Sequence, residues 1–161
     1  MATVVSSPGA GPIGAWQDRG YALIRRADVG VHRRTADVVQ EVLAAGAEVV
    51  ASRVIIDPPG SPGSPWQRAA DGPGLAVVVW HALTDAGLHN GCPWLVPGSH
   101  LAPAGDHDRD GAIPVTLAPG DVLVLDAGLR HRTTANHSRA SRVEVVVRYA
   151  AVRDAPDDMV D

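Results

Sequence analysis

The sequence predicts a single, mainly β domain folded as a double-stranded β-helix (a jelly roll or cupin-like barrel), with one or two N-terminal helices packed on the outside. Three observations predict this fold. A length of 161 residues suits one domain. A hydrophobic fraction of 45% is enough to fill one core. Many short β segments separated by turn residues favour a jelly roll or barrel over a parallel α/β sheet.

The two ends of the chain are predicted to be flexible. Residues 1–14 are rich in Ser, Pro and Gly and show no hydrophobic periodicity. The folded domain is therefore expected over residues 15–153, followed by a flexible tail over residues 154–161.

One segment near the N-terminus has the pattern of an amphipathic helix. It runs from Thr35 to Ala45, with Thr35 as the N-cap and Gly46 as the stop signal. Its apolar stripe consists of Val38, Val39, Val42 and Leu43. The stripe needs a sheet to cover, so the helix is expected to lie on the outside of the barrel.

The remaining elements are predicted to be strands. A short strand is expected at Gly20–Arg26. Further β segments are predicted at Glu48–Ile56, Leu75–Leu83, Pro93–Val96, Ala112–Leu117, Asp121–Leu125 and Arg142–Val152. The Pro- and Gly-rich run from Asp57 to Pro65 can be neither a helix nor a central strand, so it is expected to be a surface loop or a mobile lid.

Composition excludes several classes of protein. A formal net charge of −4 argues against nucleic acid as a partner. Cys92 is the only cysteine, which rules out an intramolecular disulfide and fits a reducing, cytoplasmic setting. The N-terminus has no signal-peptide pattern, and the apolar run Leu75–Trp80 is too short to cross a bilayer. The chain contains arginine but no lysine, so an isolated arginine is not by itself taken as a sign of a binding site.

Two strings carry the strongest functional signal. The first is NGCPWLVPGSH at Asn90–His100, and the second is PGDVLVLDAGLRHRTTANHSRASR at Pro119–Arg142. Together they resemble the phytanoyl-CoA dioxygenase family of Fe(II)/2-oxoglutarate-dependent oxygenases, over roughly Trp66–Tyr149. The resemblance implies a double-stranded β-helix and a small organic substrate, such as a natural-product intermediate in secondary metabolism.

The resemblance also implies an iron site, which this sequence has lost in part. The family holds iron with a His-x-Asp pair and a distal His. His131 matches the distal His and is the only ligand position that survives. Aligning on Trp66 places Gln67 at the first His and Ala69 at the Asp. An amide and a methyl group have little affinity for Fe(II), so no metal is expected.

The predicted 2-oxoglutarate site is altered as well. Arg142 matches the family's arginine that binds the co-substrate carboxylate. Side chains alternate along a strand, so Glu144 is expected beside Arg142, where its carboxylate would compete with 2-oxoglutarate. We therefore predict catalytic roles for His131 and Glu144. The predicted substrate-binding residues are Arg142, Asn136, Gln67, Trp66 and Trp80.

Three function hypotheses follow from these features. The first is an enzyme without a cofactor that uses His131 with Glu144 or Arg142 for acid–base chemistry. The second is an active Fe(II)/2-oxoglutarate-dependent hydroxylase whose missing ligands come from residues that do not align: Asp71, His81 or Asp85. The third is a non-catalytic accessory or binding module. A homodimer is a candidate assembly, because sheet edges and faces of this fold associate readily.

Overall fold

The structure is a computed structural model that describes residues 14–26, 31–43, 46–69, 76–102 and 111–152. Within these ranges the chain forms two α-helices and eight β-strands. The helices are α1 (Gly14–Arg19) and α2 (Val31–Leu43). The strands are β1 (Tyr21–Ile24), β2 (Ala47–Asp57), β3 (Ala76–Ala82), β4 (Pro93–Leu95), β5 (Ile113–Pro114), β6 (Val122–Asp126), β7 (His131–Thr133) and β8 (Arg142–Ala151).

The strands form two antiparallel sheets that face each other. The larger sheet has the order β1-β6-β3-β8-β2, and the smaller has the order β5-β4-β7. One buried cluster lies between the sheets and includes Val78, Leu95 and Leu123. A second lies between α2 and the outer face of the larger sheet. This architecture confirms the predicted mainly β fold with helices on the outside of the barrel.

Helix α2 covers the larger sheet as its apolar stripe predicts. Val38, Val39 and Leu43 are buried in the outer cluster together with Val77 of β3. The predicted N-cap is wrong: the helix begins at Val31, and Thr35 is a buried residue one turn inside it. Helix formation over the preceding polar residues overrides the local capping preference of threonine. The helix ends at Leu43, and Ala45 is outside the described residues.

Two short elements are absent from the sequence prediction. Helix α1 begins at Gly14, which was expected to lie in the flexible lead-in. Strand β7 has only three residues and pairs with β4 across the smaller sheet. Segments this short carry almost no periodicity, so long-range pairing decides their conformation. Residues 1–13 and 154–161, where flexibility is predicted, lie outside the described residues.

The Pro- and Gly-rich segment after β2 is a loop held against the smaller sheet. Gly60 N–H donates to the Asn136 carbonyl at 2.8 Å, and Asn136 N–H donates to the Ser61 carbonyl at 3.0 Å. Ser64 N–H donates to the Thr133 carbonyl at 3.2 Å. Of the two alternatives for this run, the structure therefore favours an anchored loop over a lid.

Strand β2 is the outer edge of the larger sheet and pairs with β8. A register shift between Val49 and Ala51 marks a β-bulge. Beyond the bulge, Arg53, Ile55 and Asp57 face the space between the two sheets, opposite inward-facing residues of β8. The predicted homodimer stays a prediction.

None of the described helices has the length and apolar character needed to cross a membrane.

Candidate active site

A cavity of about 750 Å³ lies between the two sheets. This volume is within the usual range for a small-molecule site, about 300–1,000 Å³. Val78, Trp80 and Val146 form an apolar wall on the larger sheet, and Ala69 belongs to the segment that runs beside the smaller one. The polar lining residues come from β2, β7, β8 and residues 63–68.

Alternation along β8 determines which of its side chains enter the cavity. Arg142, Glu144, Val146 and Arg148 all line it. Residues at every second position of a strand share one face of the sheet. The placement of Arg142 beside Glu144 therefore agrees with the alternation read from the sequence.

His131 begins β7 and is 4% exposed. Its Nδ1 donates to the Leu129 carbonyl at 2.8 Å, which fixes the tautomer with the proton on Nδ1. The ring meets Trp80 edge to face, with 5.8 Å between centroids. Burial lowers the pKa of His131 below its usual value, and the bond to Leu129 offsets this only in part. The imidazole is therefore neutral near pH 7, and it presents an unprotonated Nε2.

The string Asn90–His100 forms the support behind His131. Leu95 of β4 pairs with His131 in the smaller sheet. Gly91, at a φ of 94°, lies so close to the residue after β7 that a Cβ atom there would be 2.6 Å from the Thr134 carbonyl oxygen. A glycine at this position lets the loop pack against the chain that follows His131.

Gln67 pairs directly with His131. Gln67 N–H donates to the His131 carbonyl at 2.9 Å, and His131 N–H donates to the Gln67 carbonyl at 3.0 Å. Gln67 and Ala69 both line the cavity. The structure thus places the predicted first ligand position next to the third and the predicted second position in the same cavity, and they supply an amide and a methyl group.

The residues around His131 do not fit an iron site. Among the described residues, no group of three or more His, Cys, Asp or Glu side chains is placed to hold a metal ion. His81 lies on the outer face of β3 and lines a separate cavity beside α2, so it cannot join His131. Asp85 is absent from the residues lining the cavity of His131. Asp71 lies outside the described residues. One imidazole is too small a donor set for catalytic iron.

Arg142 is held in a buried ion cluster. Its Nη1 donates to Glu144 Oε2 and its Nη2 donates to Asp57 Oδ2. The Arg142 and Glu144 side chains are 2% and 3% exposed, and that of Asp57 is 26% exposed. Burial raises the pKa of Glu144, against the lowering effect of Arg142. Both terminal nitrogens of Arg142 already bind carboxylates, and only its Nε lacks a partner among the described groups, so the cluster has no free guanidinium fork for 2-oxoglutarate.

Two predicted substrate-binding residues lie elsewhere. The buried Asn136 amide donates to the carbonyls of Asp57 and Ala140 at 2.8 and 2.9 Å. Trp66 stacks under the Arg132 guanidinium, 5.0 Å from its ring centroid. Neither residue is among the described residues that line the cavity, so direct substrate contact by Asn136 and Trp66 stays a prediction. In the structure both side chains meet groups of the protein itself: the amide bonds two backbone carbonyls, and the indole stacks on a cation.

The sequence reasoning missed several lining residues. Asp57 is far from Arg142 in the chain, and only the register of β2 with β8 brings the two together. Arg148 could have been found, because it continues the alternation from Arg142 and Glu144. Arg53 and Arg68 carried no signal beyond composition.

The paired sheets, with the cavity between them and His131 in its wall, define the double-stranded β-helix of the iron- and 2-oxoglutarate-dependent oxygenases. A profile of the phytanoyl-CoA dioxygenase (PhyH) family matches residues 17–143. The chain belongs to this family, as the two sequence strings predict.

Three relatives illustrate the similarity. The dioxygenase andF of Emericella variicolor is 36% identical over 84 residues, which cover 49% of this chain and 28% of the relative. The match thus spans less than a third of that curated relative. The crystal structure of AviO1 from Streptomyces viridochromogenes has a TM-score of 0.74 at 20% identity and covers 90% of this chain and 96% of its own. The non-heme alpha-ketoglutarate-dependent epimerase SnoN from nogalamycin biosynthesis has a TM-score of 0.74 at 17% identity, with coverages of 93% and 90%.

Proposed function

We propose that this protein converts a small organic molecule, a natural-product intermediate, by metal-independent and non-oxidative acid–base chemistry. The reaction would be a cyclisation, isomerisation, epimerisation or dehydration. The observation that carries the proposal is the backbone pairing of Gln67 with His131. It supports the alignment that leaves a single imidazole at the iron position, in a cavity that is still open.

His131 is proposed as the general base. Its unprotonated Nε2 would accept a proton from a C–H or O–H group of the substrate. The hydrogen bond from Nδ1 to the Leu129 carbonyl holds the ring in the tautomer this role needs, and it favours the cation that forms. The edge-to-face contact with Trp80 restricts rotation of the imidazole.

Glu144 is proposed as the partner acid. Because its pKa is raised, Glu144 is protonated in a larger fraction of molecules near neutral pH than an exposed glutamate is. While Glu144 carries a proton, Asp57 remains as the counter-ion of Arg142. A base with a lowered pKa and an acid with a raised pKa in one cavity are suited to proton shuttling.

The relatives support only part of this proposal. SnoN is described as an epimerase from an antibiotic pathway, which supports a small-molecule substrate in the same fold. It is also described as alpha-ketoglutarate dependent, so metal independence rests on Gln67, Ala69 and the occupied Arg142. The accessory-module hypothesis would be favoured by a cavity filled with side chains, and a cavity of about 750 Å³ does not favour it.

A proton-abstraction probe tests the proposed base without knowledge of the substrate. With 5-nitrobenzisoxazole, removal of the ring C–H proton and cleavage of the N–O bond release a coloured cyanonitrophenolate. In the presence of EDTA, the protein should accelerate this reaction at least about tenfold over its His131→Ala variant. His89→Ala removes an exposed histidine and should react like the unmodified protein. Equal rates for the protein and His131→Ala would refute the proposed role.

Metal and co-substrate binding test the alternative hydroxylase. After anaerobic reconstitution with Fe(II), we expect iron far below one per chain and no heat on titration with 2-oxoglutarate. Stoichiometric iron followed by 2-oxoglutarate binding would instead establish the oxygenase, with Asp71 as the first residue to examine for the missing ligand.

A further inference from the structure

The cavity carries an excess of positive charge in a protein that is acidic as a whole. Among the described residues, four arginines and two carboxylates line it, whereas the formal net charge of the chain is −4. Both carboxylates, Asp57 and Glu144, bind Arg142. The cavity therefore contains arginines that no acidic side chain in the described part of the chain contacts, and two of these, Arg53 and Arg148, lie on adjacent strands.

Strand register places Arg53 and Arg148 together on the cavity face. Arg53 of β2 is opposite Val146, and Arg148 of β8 is opposite Ala51. The two arginines are thus diagonal neighbours on one face of an antiparallel pair, about 7–8 Å apart with their Cβ atoms somewhat closer. Long side chains at this separation can reach a common ligand.

Neither guanidinium has a hydrogen bond or salt bridge to another described residue. The Nε of Arg148 is buried without an acceptor among the described protein groups. The charge of Arg53 has a lowering effect on the pKa of Glu144, but the Glu144 carboxylate forms its hydrogen bond with Arg142. Buried donors in native proteins almost always have an acceptor, so a donor of this kind beside a cavity indicates a site for one. Two adjacent cations also repel each other unless an anion lies between them.

We propose that the substrate is an organic carboxylate, whose acid group binds between Arg53 and Arg148 while its apolar body extends along the cavity toward His131. The guanidinium is the side chain best suited to a carboxylate, because its planar fork makes paired hydrogen bonds. The wall beside Arg148 consists of Val78, its partner on β3, and Val146, which suits an apolar body.

The proposed carboxylate site lies at a defined distance from the proposed acid, Glu144. Arg148 is four residues beyond Glu144 on β8, a distance of about 13 Å at 3.3 Å per residue. A substrate anchored at Arg148 would therefore span most of the cavity before its reacting atom meets the proposed acid and base. This position is separate from the Arg142 cluster, at the opposite end of the inward-facing part of β8. The inference deepens the proposed function, because it names the class of substrate for the same cavity.

Anthracene-2-carboxylate is a suitable probe, because it is fluorescent, rigid and similar in length to the distance of about 13 Å along β8 from Arg148 to Glu144. Anthracene-2-carboxamide has the same shape without the charge. We expect the carboxylate to bind at least about tenfold more tightly than the amide, with EDTA present. Arg148→Gln and Arg53→Gln should each weaken carboxylate binding severalfold and leave amide binding unchanged, and the double variant should abolish the preference.

Two controls separate this inference from the proposed catalytic role. Arg33→Gln removes the same charge from the exposed face of α2 and should leave the preference intact. His131→Ala should also leave it intact, because His131 is proposed to transfer a proton and not to bind the acid group. Equal binding of acid and amide, no binding of either at millimolar concentration, or a preference that survives in the double variant would each overturn the carboxylate site. A preference lost in the double variant, together with 5-nitrobenzisoxazole rates equal to those of His131→Ala, would support the carboxylate site and refute only the proposed base.

Discussion

Gln67 and His131 are bound to each other through two backbone hydrogen bonds, at 2.9 and 3.0 Å, in an isolated antiparallel bridge. We propose that Gln67 occupies the position of the family's first iron-binding histidine and that His131 occupies the distal one. On this alignment the bridge keeps the backbone of the iron site, while the side chains that would bind iron have changed. The consequences can be tested by restoring those side chains one set at a time.

Gln67→His with Ala69→Asp should create an iron site. Together with His131 the two substitutions complete a set of two histidines and one carboxylate, the facial arrangement that binds Fe(II). We expect about one iron per chain after anaerobic reconstitution, measured by elemental analysis. Each single variant serves as a control and should stay well below that value. Failure of the double variant, despite an unchanged melting temperature, would mean that Gln67 and Ala69 are not at the ligand positions.

Binding of 2-oxoglutarate should need a second change. In the iron-binding double variant, Arg142 would still hold Glu144 and Asp57, so we expect weak co-substrate binding. Adding Glu144→Ala should release one terminal nitrogen and strengthen binding at least about tenfold by calorimetry. Val145→Ala, on the opposite face of β8, is the matched control. If Glu144→Ala had no effect, competition for Arg142 would not be the obstacle.

Removing Arg142 should destabilise the fold strongly. Arg142→Met leaves Glu144 buried beside Asp57 without a counter-ion, which costs about 3–5 kcal/mol. Urea denaturation at pH 7 measures the loss. Adding Glu144→Gln to Arg142→Met should recover part of it, because a neutral amide replaces the unpaired charge. Arg139→Met, at an exposed loop position, should change stability by less than about 0.5 kcal/mol. A loss from Arg142→Met no larger than that of the control would contradict the buried cluster.

Stability should depend on pH through His131. Because burial lowers the pKa of His131 from 6.5 in the folded state, the unfolded chain binds a proton that the native protein does not. Stability contributed by this group therefore rises with pH up to about 6.5 and is constant above it. Glu144 acts in the opposite direction above its ordinary pKa of 4.5, because burial raises its pKa.

The difference between the unmodified protein and His131→Gln isolates the histidine. Urea denaturation from acid to neutral pH should show a smaller rise of stability with pH in the variant. His89→Gln, an exposed histidine, should leave the slope unchanged. If stability changed with pH equally in the unmodified protein and in His131→Gln, the pKa of His131 would not be lowered in the folded state.

Substitution of Asn136 should lower the stability of the fold and leave ligand binding almost unchanged. Its buried amide donates to the Asp57 and Ala140 carbonyls and accepts from Ser138 N–H at 3.0 Å. Asn136→Ala would leave these groups unpaired and should cost about 1–3 kcal/mol. Binding of anthracene-2-carboxylate, measured well below the melting temperature, should change less than twofold. A large loss of binding with no loss of stability would restore Asn136 as a substrate contact.

Some features of this protein could be determined from the sequence alone because they depend on local pattern. Alternation along β8 predicts that Arg142 and Glu144 share a face, and the two strings predict the family and its barrel. The same alternation extends to Arg148, so its position was available as well. The predicted loss of iron-binding side chains at Gln67 and Ala69 also depends only on which residues occupy the motif, and it stays a prediction.

The tertiary structure decided the rest, because it depends on pairing between distant strands. Asp57 joins Arg142 only through the register of β2 with β8, which no local pattern encodes. Asn136 and Trp66 are near His131 and Gln67 in the sequence, yet folding turns their side chains to other partners. The excess positive charge at Arg53 and Arg148 exists only once the strands are adjacent, since each arginine alone is an ordinary residue of an arginine-rich chain. Composition and motif thus determine which groups are available, and strand register determines which of them meet in one cavity.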